Sequence, residues 1–445
     1  CVRECAEARG QHGIEKNAPC VPRPSVKSSA LLPPGAVRSV PSSVTFTVSR
    51  FSPVAGHLSL PLAVLKQSAL AHNLVWMQDF CIARGLDIAP HGKTSMSPEL
   101  FHMQLNAGAW GISFANVFQA GLGIRHGVHR IIIANQVFQH PDLDTLAALL
   151  QQHPTVTVYF LVDSMAQLDS LDAWRVSRNS KVPLTVLIEL GIPCKRTGCR
   201  DAAQALALAR RIKTTPGLSL CGVECYEGAL ATCNHTHDNA TVAELMTRVQ
   251  SFAQACESED LFECEEILLT AGGSAIFDLV ALNLIPLLKK PARGILRSGC
   301  YLTHDHVHYK KMLTCVAERL QLRETLKPAL EVLSRVQSCP EPGLSLLSMG
   351  KRDVSFDLDL PVAIWRASVG DQSTRPVPAH WQITALNDQH AYLHFDAHAP
   401  QEEKPLVGQI IGSGISHPCT TFDKWRWMPL VDDHYKVIDA ISIHF

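Results

Sequence analysis

The chain has 445 residues with 40 basic and 41 acidic side chains, a formal charge of −1, so no charge surplus points to a nucleic acid or an anionic membrane surface as partner. At 46% hydrophobic and 18% charged it is not a disordered chain, and its length suits two or three domains. The most apolar long stretch, Glu266 to Leu288, is interrupted by Ala271-Gly272-Gly273-Ser274 and by Asp278, which a membrane-spanning helix does not readily carry at its centre. A soluble, cytoplasmic protein is expected. Its fifteen cysteines are scattered through a chain long enough to build its own core, and read as reduced, mostly buried thiols. Cys194/Cys199 and Cys221/Cys225 lack structural-zinc spacing and read as packing residues.

Residues 1–42 are rich in Pro, Ser and Arg, and Ala30-Leu31-Leu32 is too short for the apolar core of a secretory signal, so they read as a mobile leader. Ser43–Val48 alternates as a strand, and residues 43–60 are expected to join a later β-domain. Over residues 61–310 strand-length apolar runs alternate with helix-period segments. Eight strands are predicted: Leu86–His91, Gly111–Val117, Arg130–Gln136, Thr155–Asp163, Pro183–Leu190, Ser219–Glu227, Glu265–Ala271 and Arg293–Cys300. Ser97–Asn106 and Asp201–Lys213 are among the helices between them. This is an α/β pattern, and eight βα repeats suit a (β/α)8 TIM barrel better than a doubly wound sheet, since no G-x-G-x-x-G follows any strand. From 311 to 445 short alternating runs such as Ala391–Phe395 and Val437–His444, broken by Pro, Gly and Asn-Asp turns, predict an antiparallel β-domain.

Barrel enzymes place their chemistry where the strands end at the C-terminal face. There stand His91-Gly92-Lys93-Thr94, Arg196-Thr197-Gly198, Tyr226-Glu227-Gly228, Gly272-Gly273-Ser274 and Gly299-Cys300-Tyr301. Gly92-Lys93-Thr94 is no P-loop, because Asp87 stands where that motif needs its first glycine. A rim lysine can instead be desolvated to the neutral amine that forms a Schiff base. Gly272, Gly273 and Ser274 offer close-approaching N–H groups, a hydroxyl and a helix start, which suit a phosphate. An imine-competent lysine and a phosphate cradle on one face suggest pyridoxal phosphate (PLP). In the β-domain, Ser416-His417-Pro418-Cys419-Thr420 sets an imidazole and a thiol two residues apart, on one face of an extended segment, as two ligands of a soft-to-borderline cation such as Zn²⁺. Two protein ligands leave positions open, which points to catalysis. His304-Asp305-His306-Val307-His308 reads as a polar loop as well as it reads as metal-binding. His102, His126, His129, His235 and His237 read as surface histidines, and Trp110, Trp425 and Trp427 as packing.

The strings Ala89-Pro90-His91-Gly92-Lys93-Thr94, Ser97-Pro98-Glu99-Leu100 and Gln104-Leu105-Asn106-Ala107-Gly108-Ala109-Trp110-Gly111-Ile112 resemble the D-serine deaminase-like amino acid deaminases. These are fold-type III PLP enzymes, relatives of alanine racemase. The likeness continues through Arg297-Ser298-Gly299-Cys300-Tyr301, Gly350 to Asp357, Asp388-Gln389-His390 and His417 to Trp425, and spans about residues 60 to 445. It implies a PLP barrel of alanine racemase type followed by a β-domain, with Lys93 as the Schiff-base lysine and His417 and Cys419 as metal ligands. It also implies Arg196 and Tyr226 against the cofactor ring or its phenolic oxygen, Gly272 to Ser274 on its phosphate, and a homodimer. Two departures stand out: Ser95-Met96 where several relatives carry a histidine, and Cys419 where D-threonine aldolases carry aspartate. The thiolate favours zinc over Mn²⁺ or Mg²⁺ and the dehydratase branch.

The leading expectation is therefore elimination of the β-hydroxyl from a D-amino acid such as D-serine, giving pyruvate and ammonia. Lys93 would take the α-proton, the PLP ring would act as electron sink, and the metal would bind the departing hydroxyl. The rival is a D-threonine aldolase that cleaves Cα–Cβ to glycine and an aldehyde. A racemase needs a second base on the opposite ring face, for which no residue stands out, and a non-catalytic PLP-binding barrel would not explain the β-domain.

Overall fold

A computed structural model describes residues 51–371 and 373–445. The expected leader and the Ser43–Val48 strand lie outside the described residues; residues 51–60 form turns.

All eight predicted barrel strands form. The chain enters through strand β1 (Leu62–Lys66) and then runs β2 (Asp87–Ile88), β3 (Ile112–Phe114), β4 (Arg130–Gln136), β5 (Thr157–Val162), β6 (Leu184–Leu190), β7 (Leu218–Cys225), β8 (Ile267–Ala271) and β9 (Ala292–Leu296). Strands β2 to β9 make one parallel sheet in the order β2-β9-β8-β7-β6-β5-β4-β3. A parallel bridge from His91 to Ser113 closes it into a barrel between β2 and β3, with β2 cut short where the chain turns.

Period-two burial sorts each strand. Ile131 and Ile133 of β4 face the large core shared with the outer helices, while Ile132 joins Leu161, Leu187, Leu268 and Ile295 in a separate cluster inside the barrel. Burial of each such side chain is worth about 1.5–3 kcal/mol. The outer helices carry the complementary stripe: Ala202–Lys213 buries Ala205, Leu208, Ala209 and Ile212. It starts where the sequence predicts, because the Asp201 side chain accepts from the Ala203 and Gln204 amides, a cap worth about 1 kcal/mol.

The second domain is a ten-stranded sheet that is mixed rather than purely antiparallel. The reason is β1, which pairs antiparallel with Leu330–Glu341 (Leu62 opposite Leu333) and parallel with Trp427–Val431 (Leu65 opposite Leu430). The sheet is thus completed by a strand that precedes the barrel in sequence.

The twelve described cysteines are free. Cys199, Cys221 and Cys225 pack in the interior as expected, but Cys194 is exposed in a loop at φ +58 and is not a packing residue. Trp110 and Trp425 are buried. Among the described residues no helix is long and apolar enough to cross a membrane.

Candidate active site

Lys93 lies in a single 3-10 turn, Gly92–Thr94, directly after β2. Gly92 lets the turn fold onto the barrel rim, since a Cβ there would come within 2.7 Å of the Phe114 ring. His91, one residue earlier, closes the barrel with its backbone while its Nδ1 is buried without a partner. Burial, with the charges of Lys93, Arg297 and Arg196 nearby, holds this imidazole well below its ordinary range and hence neutral.

Arg196 comes from the loop after β6, its guanidinium 4.8 Å from the centre of the Tyr226 ring, which follows β7. With Glu189 and Thr197 they line a small pocket at the barrel rim. Glu189 accepts from Thr197 Oγ1 at 3.0 Å and Gln136 Nε2 at 2.5 Å, and burial still raises its carboxyl above the usual range.

The turn Gly272-Gly273-Ser274 is occupied from within. The buried Glu227 carboxylate accepts the Gly272 amide at 2.9 Å and the Gly273 amide at 2.6 Å. Burial raises this carboxyl while those amides pull it down. Ser274 Oγ accepts from the Cys300 amide at 3.2 Å. The helix expected to open here begins only at Phe277 and runs five residues, so its dipole adds little.

Across the mouth lies the β-domain loop between strands Ile410–Gly414 and Trp427–Val431. His417 and Cys419 do not share an extended segment: Pro418 is helical (φ −59, ψ −47) and Cys419 opens the short helix Cys419–Phe422. The turn brings the imidazole and the thiol close enough for each to shift the other's titration. His417 Nδ1 bonds Asp357 Oδ2 at 2.6 Å, and Thr420 Oγ1 donates to Asp357 Oδ1 at 2.6 Å, which turns the other imidazole nitrogen away from Asp357. Burial works against charge on His417, but Cys419 and Asp357 outweigh it and lift the imidazole to about 9. The Cys300 hydrogen bond, then His417 and Thr94, hold the Cys419 thiol well below its usual value against burial. Cys419 Sγ is hydrogen-bonded to Thr94 Oγ1 at 3.4 Å, joining this loop to the turn that carries Lys93.

Several residues here carried no sequence signal of their own. Arg297 and Glu224 form an ion pair wholly buried inside the barrel, Arg297 also donating to Thr270 Oγ1 at 2.9 Å and the Cys225 carbonyl at 3.1 Å. Burial pushes the Glu224 carboxyl up, and Arg297 pulls it back down. Charged residues at inward strand positions were the available clue. His304-Asp305-His306 is structural: Asp305 accepts from the Val307 and Tyr309 amides at the start of helix His308–Leu320, and both histidines are driven down by burial. His102, His126, His129 and His237 are exposed, and His235 is half-buried.

A closed parallel barrel with a lysine turn at its rim, capped by an intrachain β-domain loop, defines an alanine racemase-type barrel protein. The barrel matches the alanine racemase N-terminal domain family over residues 65–285, and the β-domain matches the serine dehydratase domain family over residues 329–431. The chain thus carries an alanine racemase N-terminal domain followed by a D-serine dehydratase-like domain. It is 24% identical to a D-threonine aldolase of Arthrobacter sp over 377 residues, 84% of this chain and 89% of the relative. It is also 24% identical to a 3-hydroxy-D-aspartate aldolase of Paracoccus denitrificans over 316 residues, 70% of this chain and 77% of the relative. Two solved structures share the fold. D-threonine aldolase from Filomicrobium marinum has a TM-score of 0.71 at 20% identity, covering 87% of this chain and 95% of that one. D-threo-3-hydroxyaspartate dehydratase from Delftia sp. HT23 has a TM-score of 0.69 at 21% identity, covering 88% and 99%. Solved forms of a D-threo-3-hydroxyaspartate dehydratase include variants with a cysteine and a histidine two positions apart each replaced by alanine, the cysteine variant being metal-free.

Proposed function

We propose that the chain is a PLP- and metal-dependent lyase of D-3-hydroxy amino acids, acting as a dehydratase that removes the β-hydroxyl of D-serine or a similar substrate to give a 2-oxo acid and ammonia. The relatives named as D-3-hydroxy amino acid lyases support the substrate class. The observation that carries the dehydratase reading is the Cys419–Thr94 contact, which sets a thiol and imidazole pair beside the Lys93 turn.

The donor set fits PLP. It offers one rim amine, Lys93, an unpartnered buried His91 Nδ1, a guanidinium over a tyrosine ring, and a two-amide turn that already accepts a carboxylate oxygen pair. In this reading Lys93 Nζ holds the cofactor, Arg196 and Tyr226 flank it, and Gly272, Gly273 and Ser274 take its phosphate beside or in exchange for Glu227. When bound, PLP supplies an electron sink for charge developing at Cα. Lys93 Nζ removes the Cα proton, and neutral His91 adds no second positive charge beside it. His417 and Cys419 fit a divalent cation, with zinc favoured over Mn²⁺ or Mg²⁺ by the thiolate, and such a cation supplies a Lewis acid to the leaving hydroxyl. Asp357 keeps His417 in one tautomer and orientation for that cation. The reading takes the protein as a homodimer, which sedimentation tests.

The second reading, an aldolase yielding glycine and an aldehyde, is favoured by the names of the curated relatives. Turnover of D-serine and D-threonine, with and without EDTA followed by Zn²⁺ or Mn²⁺, separates the two. Keto acid lost on chelation and restored by zinc supports the dehydratase, glycine with an aldehyde moves the function to the aldolase, and neither product overturns both.

A further inference from the structure

We propose that Cys300 is a third protein ligand of the divalent cation, making a Cys300–Cys419–His417 site with one position open for substrate. This rests on the metal-dependent reading above and goes beyond it in ligand number and in choice of metal.

The sulfur geometry comes first. Cys300 Sγ lies 3.7 Å from Cys419 Sγ. Two thiolates on one tetrahedral zinc, each about 2.3 Å from the ion, have their sulfurs roughly 3.8 Å apart, whereas a disulfide needs about 2.05 Å. The pair already stands at the spacing a shared cation requires. It does so across two domains and 119 residues of chain, so local sequence does not explain it.

The backbone holds Cys300 there. Its amide donates to Ser274 Oγ at 3.2 Å, and Gly299 before it is pressed against the Lys93 turn, where a Cβ would come 2.7 Å from His91 Cβ and 2.8 Å from Thr94 Oγ1. Cys300 is 4% exposed, a setting in which a thiol is either inert packing or a ligand. The other two donors stand on the same turn, with Cys419 Sγ against Thr94 Oγ1 at 3.4 Å and His417 Nδ1 committed to Asp357. Among the described residues no three such side chains are drawn around one point, so the sulfur pair is the part already set.

The chemistry follows from the donors. Two thiolates and an imidazole select zinc over Mg²⁺ or Mn²⁺, and three protein ligands with an open fourth position is the arrangement of catalytic rather than structural zinc. Two thiolates also cancel the dication's charge, giving a milder Lewis acid than a His–Cys pair.

The test counts sulfurs. X-ray absorption of the zinc-loaded wild-type holoenzyme should fit two Zn–S vectors; one vector overturns the proposal and needs no variant. Alongside, the cobalt-loaded protein should lose about half of its thiolate-to-metal charge-transfer absorbance in both C300S and C300A, with zinc affinity lowered at least tenfold in chelator competition. An unchanged band in C300S with a lost band in C419A leaves a two-ligand site and sinks the third ligand alone. Failure of the wild type to bind zinc or cobalt sinks the metal-dependent reading with it. Two fewer titratable thiols in unreduced wild type than in the reduced protein, with no such deficit in C300S, would assign the pair to a disulfide instead and overturn the proposal.

Discussion

The Glu227 carboxylate sits 2.6 Å from the Gly273 amide and 2.9 Å from the Gly272 amide, so the turn read as a phosphate cradle is held by an anion of the chain itself. E227A leaves two amides without an acceptor, at about 1–3 kcal/mol each where they are buried. The variant should unfold at lower urea concentration than wild type. Millimolar inorganic phosphate should recover part of that loss in the variant and stabilise wild type less, because Glu227 already fills the turn there. Equal phosphate effects on both proteins would remove the turn from the proposed site.

Arg297 and Glu224 are both buried, and each keeps one polar atom without a partner, Nε and Oε2. R297M strands the carboxylate and should cost about 3–5 kcal/mol, the usual penalty for breaking a buried pair by removing one partner. Adding E224Q should restore most of it, and a double variant as weak as R297M would show that the guanidinium matters through Thr270 and Cys225 instead.

Asp357 touches His417 and Thr420 and so acts through the imidazole, not on the substrate. D357N should weaken zinc by roughly 10–100-fold, as loss of such outer partners commonly does. Chelator competition measures it, and D357E should regain part of the affinity. Identical zinc affinity in D357N and wild type would leave the pair a surface contact.

His304 titrates at about 4 and His306 at about 3, both pushed down by burial. An unfolded histidine titrates near 6.5, so below that pH the unfolded chain binds protons that the native state refuses. Stability from these residues is full above about pH 6.5 and is lost as pH falls towards 4, by about 1.4 kcal/mol per pH unit for each. Urea unfolding across that window should show H306Q with a shallower slope than wild type by that amount; parallel slopes would contradict the assignment.

The barrel was readable because its strands are continuous apolar runs: Arg130–Gln136 is found with its predicted ends, and the β4 isoleucines sort by period two. Lys93 was readable from its place after a strand. What a period cannot carry is a contact between distant turns. Glu227 meets Gly273 across 46 residues and His417 meets Asp357 across 60, and neither spacing is fixed by any local geometry. The extended reading of His417-Pro418-Cys419 failed because Pro418 is helical and opens a turn, which proline permits as readily as extension. The mixed sheet was missed because Leu62–Lys66 fell within the segment 61–310 assigned to the barrel, and nothing local shows that its partners lie beyond residue 329.

The place of β1 sets a timetable for synthesis. Leu62 waits for Leu333, 271 residues later, and Leu65 waits for Leu430, 365 residues later. At about 5–20 residues per second, a ribosome takes on the order of tens of seconds to supply them. Until then Leu-Ala-Val-Leu-Lys is an apolar strand with both edges open beside a barrel whose eight strands have all been made. A chain stopped before Trp427 leaves that strand open along one side, so nonsense truncations close to the C-terminus should drive the protein into aggregates rather than release a working barrel.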